Sequence, residues 1–389
     1  MTEHKTRIVV IGGGYAGVIA ANRLGMRSDL DTTLVNSRPR FVERIRLHQL
    51  AAGSGDAVVE YREILGPGVT LVTGVATRID IGARQVHIRD GAPLPYDYLI
   101  YAVGSDSGSP TVAGAGEFAY PVTTLEEAER LRVALIAVPA DSPVCVVGAG
   151  PTGIETAAEL AEQGRAVTLV CGGVLGPYLS RSGRRATARR LRRLGVRIVR
   201  GPGATVVAVT SGAVDLADGT RLRSVVTIWT AGFGVPALAS RSGLRTDAIG
   251  RLLTDETLTS IDDRHVVAAG DAAAPSGEPL RMSCQAAIPL GAQAADTVLA
   301  RIAGEPPAAI NQAFTGQCIS IGRAAGVIQL ARRDDTALPL YLGGRVAAAV
   351  KEAVCRSTVA ALRREARKPG SAFWVKGGRR DVAAPVAAP

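Results

Sequence analysis

The chain has 389 residues, a net charge of +10 and 47% apolar residues, yet only 4% aromatic ones. That length exceeds one small core and predicts two or three domains, while the wealth of Gly and Ala suits an α/β protein with close helix contacts. The absence of any run of about eighteen uncharged apolar residues argues against a membrane-spanning helix. The five cysteines (Cys145, Cys171, Cys284, Cys318, Cys355) are scattered and never spaced C-x-x-C, so no disulfide framework is expected.

The opening MTEHKTRIVVIGGG moves directly into a strand without a signal-peptide layout, which predicts a cytoplasmic protein. Residues 7–11, RIVVI, form the β-branched run of a strand buried on both faces. Gly12, Gly14 and Gly17 follow in G-x-G-x-x-G spacing, AGVIAANRLG has helical periodicity, and DTTLVN is the next strand. Placed inside a βαβ unit, such glycines permit a tight turn, and the helix N-terminus supplies partial positive charge for a pyrophosphate. The acid that usually ends the second strand is Asn36 here, whose amide can still bond a ribose hydroxyl. The segment FVERIRLHQL then brings Arg44, Arg46 and His48, and GVTLVTG, ATRIDI, RQVHIRD and DYLIYAVG read as strands within 68–104.

Residues 144–164, VCVVGAGPTGIETAAELAEQG, repeat the same grammar with Gly148, Gly150, Pro151 and Gly153, followed by the strand RAVTLV and Cys171 at the acid position. Two complete βαβ nucleotide units in one chain are far more specific than either alone. The arginine-rich SRSGRRATARRLRRLGVR after the second unit is either a solvated helix face or a holder of a 2′-phosphate. TIWTAGFG and VVAAGDAAA are strands that each end in a small-residue turn. Pro289, inside SCQAAIPLGAQAAD, should kink or start that helix. From Arg345 to Lys368 the pattern is helical. Val346, Val350, Ala353, Val354, Ala361 and Leu362 share one side, with Lys351 and Arg363 among the cations elsewhere. Its stripe of Ala and Val suits docking on the protein's own body or a second subunit better than on lipid. The tail after Lys376 reads as disordered, and four scattered histidines form no metal cluster.

From residue 7 to about 300, the order of these motifs resembles the two-dinucleotide-binding-domain flavoproteins, also called pyridine nucleotide-disulfide oxidoreductases. GGGYAG, RPRF and LRRLGVRIVRG are similar to the type II NADH dehydrogenases and apoptosis-inducing-factor-like members. The resemblance implies two interleaved Rossmann-like, three-layer α/β domains plus a C-terminal region. Their expected bounds are 1–118 and 255–310 for an FAD domain, 119–254 for an inserted NAD(P) domain, and 311–389 for the C-terminal region.

It further implies FAD on Gly12, Gly14, Tyr15, Ala16 and Gly17, completed by Asn36, Ser37, Arg44, Gly270 and Asp271. Ala102, Val103, Gly104 and Gly232 mark the domain crossings, and NAD(P)H falls to Gly148, Gly150, Pro151 and Gly153. The helix carrying Gln285 and Ala286 points its N-terminus at the flavin. In quinone-reducing members this helix carries two glutamines: Gln285 matches the first, and Pro289 stands at the second. No cysteine pair occupies the helix that carries it in disulfide reductases, so disulfide reduction is not expected.

His48 and Gln285 are the catalytic candidates, with His48 equally readable as a hydrogen-bonded helix residue. The leading expectation is an FAD-dependent NAD(P)H oxidoreductase passing electrons to a quinone or small organic acceptor. A flavin-dependent tailoring oxidoreductase or oxidase is the alternative. A redox-sensing protein that contacts nucleic acid rests on the basic charge alone, and no nucleic-acid partner is expected. A homodimer and a peripheral contact at the inner face of the membrane stay open, as does NADH versus NADPH.

Overall fold

The computed structural model describes residues 5–108, 110–378 and 380. In chain order, β1 (Thr6–Ile11) leads into α1 (Tyr15–Leu24) and β2 (Leu30–Asn36), then α2 (Leu47–Ala52), β3 (Val69–Thr73) and β4 (Tyr98–Tyr101). Next come β5 (Ala119–Pro121), α3 (Leu125–Ile136), β6 (Val144–Val147), α4 (Pro151–Glu162), β7 (Val167–Val170), α5 (Arg181–Arg193), β8 (Arg197–Val199) and β9 (Val226–Trp229). β10 (Val266–Ala268), α6 (Cys284–Ile302), β11 (Gly316–Ser320), β12 (Gly326–Ala331), β13 (Ala337–Gly343) and α7 (Gly344–Arg367) follow.

Two five-stranded parallel sheets carry the architecture, ordered β10-β4-β1-β2-β3 and β5-β9-β6-β7-β8. In each, the fingerprint strand lies at the centre, flanked on both sides by parallel partners. The sequence of β6, VCVV, shows why such strands are apolar throughout. Val144 and Val146 face a core with Ile154 and Leu160 of α4, while Cys145 and Val147 face another with Val214, Leu222 and Trp229. Successive side chains alternate faces, and both faces are covered. Helices cover one face, and an antiparallel meander (206–209, 213–216, 221–223) covers the other, giving three layers. A matching meander at 76–80, 85–88 and 94–95 packs Ile79 and Val86 into the core of the first sheet.

The two domains are interleaved, because β10 returns to the first sheet and pairs with β4 through Val266 and Leu99. The outgoing and returning chains run side by side: Asp106 N–H donates to Gly234 O at 2.9 Å and Gly234 N–H to Asp106 O at 3.2 Å. Val235, Leu238, Ala239 and Leu244 already belong to the first core. The packing therefore rejoins the first domain well before residue 255, the expected start of its second part, because the chain turns inward as soon as the crossing is made.

The C-terminal region contacts both domains. The antiparallel β11-β12-β13 sheet sends Ile319 and Val327 into the second core, and α7 sends Val359 and Leu362 into the first. α7 forms where the periodicity places it, with Leu362 buried as expected, but its first half buries a different face. Ala347, Cys355, Thr358, Val359 and Leu362 are buried, whereas Val346, Val350 and Val354 are 61%, 38% and 42% exposed. Lys351, expected off the apolar stripe, lies on the buried side, drawn there by a carboxylate described below. Pro289 does not start α6: the helix begins at Cys284 after the Ser283 cap and runs through Pro289. The expected disorder after Lys376 does not extend to Gly377, whose N–H bonds Asn311 O, or to Arg380, which pairs with Glu256 at 3.6 Å. The rest of that tail lies outside the described residues. Among the described residues, no helix is long and apolar enough to cross a membrane.

Candidate functional site

Both fingerprints form the same cradle. At Gly12 (φ +103°) an added Cβ would stand 2.2 Å from Ala102 O, and at Gly17 1.8 Å from Gly12 O. The equivalent positions repeat this: Gly148 (φ +122°) meets Thr230 Oγ1 at 2.3 Å and Gly153 meets Gly148 O at 2.0 Å. The middle glycines differ in kind. A Cβ on Gly14 or Gly150 would meet nothing within 4 Å. Each middle glycine is also the N-cap of its helix, with no side chain capping the first turn. Free N–H groups and a helix dipole thus face open space at both places, the arrangement that receives a pyrophosphate. The residues present fit one dinucleotide on each sheet.

At the first cradle the fold gathers most of the expected residues. A Cβ on Gly270 (φ +68°) would approach the Ala16 side chain at 2.9 Å, and one on Gly291 the Ala16 carbonyl oxygen at 2.3 Å. The Gly270–Asp271 turn and α6 therefore close directly onto the start of α1. Ser105 Oγ donates to Asp271 Oδ2 at 2.7 Å, and Arg44 Nη1 donates to Ser105 Oγ at 3.0 Å and lies 3.8 Å from Asp271 Oδ2. Gly104 adopts φ +72° beside that guanidinium. Tyr15 packs edge-on to Phe41 with 5.0 Å between ring centroids. Asn36 Oδ1 accepts from Gly13 N–H at 3.0 Å and its Nδ2 donates to Arg38 O at 2.9 Å, so this amide braces the cradle. One N–H and one lone pair of it remain for a ribose hydroxyl. Ser37, next along, has its hydroxyl 3.5 Å from Arg38 Nη1.

One candidate sits elsewhere. His48 is buried and does not join the Asp271 group; its Nδ1 lies 3.9 Å from Glu155 Oε2, on α4 of the other domain. Burial pushes its pKa down to about 4, Lys351, Arg323 and Arg46 add to this, and Glu155 only partly opposes them. His48 is therefore neutral at pH 7, and the hydrogen-bonding capacity at its buried Nε2 is unused within the described residues. Arg46 turns away too, pairing with Glu352 of α7 at 3.0 Å. Gln285 is exposed in its amide, which pairs with Thr315 Oγ1 at 2.6 Å, while Ser283 Oγ accepts from Ala286 N–H at 3.3 Å to cap α6. At the second cradle Pro151 occupies the first turn of α4, and Gly232 (φ +83°) has open space where its side chain would be.

Several residues escape the sequence patterns. Lys351 Nζ lies 3.1 Å from Glu155 Oε1, which also accepts from Ser320 N–H at 2.9 Å. Burial opposes both charges, but Lys351, His48 and the Ser320 N–H together hold the Glu155 carboxyl below its usual range, and Glu155 holds the Lys351 ammonium above its own. This buried pair joins α4, α7 and β11. Tyr61 donates to Gly13 O at 2.8 Å, pinning the first cradle from a segment with no motif. Cys284 is a part-buried thiol, pushed up to about 12 by desolvation, and all five cysteines are free. No group of three or more His, Cys, Asp or Glu side chains among the described residues could hold a metal.

A parallel sheet with one pyrophosphate cradle, interrupted by a second sheet with its own, defines an oxidoreductase of the two-dinucleotide flavoprotein class. The model of the pyridine nucleotide-disulphide oxidoreductase family matches residues 6–291, and the chain belongs to that family. It is 33% identical over 352 residues to an NADH dehydrogenase-like protein of Mycobacterium tuberculosis, covering 83% of this chain and 87% of that one. It is 30% identical over 346 residues to the type II NADH:quinone oxidoreductase Ndh of the same organism, covering 78% and 74%. The sulfide:quinone oxidoreductase of Aquifex aeolicus shares the fold, with a TM-score of 0.77 over 92% of both chains at 19% identity.

Proposed function

We propose that the chain is an FAD-dependent NAD(P)H dehydrogenase whose acceptor is a quinone. One observation carries this reading: two open, uncapped cradles in one chain, each at the end of a central parallel strand. FAD held there would supply the redox chemistry, as an acceptor of hydride from the nicotinamide dinucleotide. The protein's own part is placement. Gly12, Gly14 and Gly17 with Asn36 and Asp271 would hold FAD, and Gly148, Gly150, Pro151 and Gly153 would hold the nicotinamide dinucleotide. Hydride transfer needs alignment rather than an acid–base pair, which suits a site without an obvious catalytic dyad. Capped α6 directs its dipole toward the Gly270–Asp271 turn, where negative charge would be stabilised.

The quinone assignment rests on the named relatives and on Gln285 at the mouth of α6. The domain division that best follows the packing runs from the Asp106–Gly234 crossing, with 235–310 returning to the FAD part. The exposed apolar side of β13 and α7 supports peripheral membrane contact near the acceptor.

The test is the visible spectrum of the FAD-loaded protein under anaerobic addition of NADH or NADPH. Rapid bleaching, reversed by a soluble quinone, is the expected result. A flavin band that neither nucleotide bleaches would sink the dehydrogenase reading, and bleaching that only other oxidants reverse would remove the quinone.

A further inference from the structure

The second cradle is flanked by a cavity of about 680 Å³ that contains an unusual concentration of one residue type. Arg181, Arg185, Arg189, Arg192 and Arg193 of α5 line it together with Arg200, and loop residues Gly173–Leu175 form its other wall. None of these six guanidiniums has a carboxylate partner among the described residues. Two neighbours show the contrast: Arg190 pairs with Glu162 at 3.3 Å, and Arg184 donates to Gly176 O and Pro177 O at 3.1 and 2.9 Å. Arg184 thus fixes the loop, and the six are left facing a shared space.

The cavity's position says what that space is for. Its loop is tied to the second fingerprint, since Gly176 N–H donates to Ala149 O at 2.9 Å. Cys171 directly follows β7, where an acid would grip the ribose hydroxyls of a dinucleotide. Cys171 N–H donates to Val199 O at 2.8 Å, which sets Arg200 at the neighbouring strand end. The acid is therefore absent, and a cation stands beside the vacated position. The adenosine ribose of a nucleotide on this fingerprint would reach that tip.

We propose that this cavity receives the 2′-phosphate of NADPH, with Arg200 and the α5 arginines as its specificity determinants. The inference rests on reading the second cradle as the nicotinamide site. Six like charges in one cavity repel each other, and a neutral 2′-hydroxyl offers them nothing, whereas a phosphate accepts paired N–H groups from the planar guanidinium fork.

Titration calorimetry on the FAD-loaded protein with adenosine 2′,5′-bisphosphate and adenosine 5′-monophosphate tests it without turnover. The bisphosphate is expected to bind about thirtyfold tighter or more, since charge-assisted bidentate contacts are added. Arg200 is exposed, so Arg200→Ala should keep the fold, and it should cut the ratio of the two affinities about tenfold. Cys171→Glu, which restores the acid, should cut it further. The ratio of kcat/KM for NADPH over NADH should follow the same order. Affinities within about threefold of each other, or a ratio that Arg200→Ala and Cys171→Glu both leave untouched, would overturn the assignment. The binding ratio decides this even where neither nucleotide bleaches the flavin, an outcome that would count against the dehydrogenase reading alone.

Discussion

In each fingerprint the three glycines answer to different constraints, although the motif writes them alike. Gly12 combines φ +103° with a carbonyl oxygen 2.2 Å from where a Cβ would be, so the protein itself demands glycine there. Gly14 has an extended backbone (φ −80°) and free space around it, so the fold alone would tolerate alanine. Its constraint comes from whatever approaches the helix N-terminus. Gly12→Ala should therefore destabilise the protein by about 2–4 kcal/mol, from backbone strain plus a clash with backbone that cannot swing away. Gly14→Ala should leave the melting temperature of the FAD-free protein almost unchanged and yet weaken FAD retention. Melting curves of the apo form and flavin content after gel filtration separate the two effects. Equal loss of stability in both variants would mean that Gly14 is a packing glycine and the cradle has been misread.

Among the elements, α7 shows best what nonlocal partners decide. Its helical period is plain in the sequence, but the stripes 346-350-354 and 347-351-355 lie side by side, and apolarity alone favours the first. The second is buried because Lys351 meets Glu155, a residue of α4 in the other domain, and Cys355 and Leu362 follow it inward. Removing one partner of a buried pair leaves an uncompensated charge, so Lys351→Met should cost about 3–5 kcal/mol. Changing both, as Lys351→Met with Glu155→Leu, should restore most of that loss in a denaturant titration. A single-variant cost below about 1 kcal/mol would show that the pair does not hold α7 in place.

The same distinction sorts what could be read in advance. Both cradles, their strands and the Gly270–Asp271 turn are local grammar, strand then glycine then helix, and each lies where the residues put it. The pinning of Gly13 by Tyr61, the placement of His48 beside Glu155 rather than beside Asp271, and the early return of Val235 to the first core all depend on residues far apart in the chain. Pro289 fails to start α6 because the Ser283 cap sets the first turn, and one missing N–H inside a long packed helix is affordable.

At the scale of the molecule, burying Lys351 has turned an apolar surface outward. Leu340 and Leu342 on β13 are 64% and 44% exposed, and Val346, Val350 and Val354 are exposed along α7, which starts directly after the strand. Arg345 and Arg356 stand exposed on the same helix. Singly exposed aliphatic residues need no explanation, but five of them on two successive elements that also carry exposed cations suit the surface of an anionic bilayer. Each such side chain contributes roughly 1–2 kcal/mol when it leaves water, so a few suffice for reversible binding. The protein should therefore co-sediment with vesicles containing phosphatidylglycerol, and less so with neutral phosphatidylcholine or at high salt, where the charge attraction is screened. Leu340→Ser with Val346→Ser should lower the partition coefficient about tenfold or more without changing the melting temperature, since neither side chain is buried. Should the wild type stay in the supernatant and sediment as a dimer that the same two substitutions dissociate, the surface is a subunit interface, and the membrane contact must be abandoned.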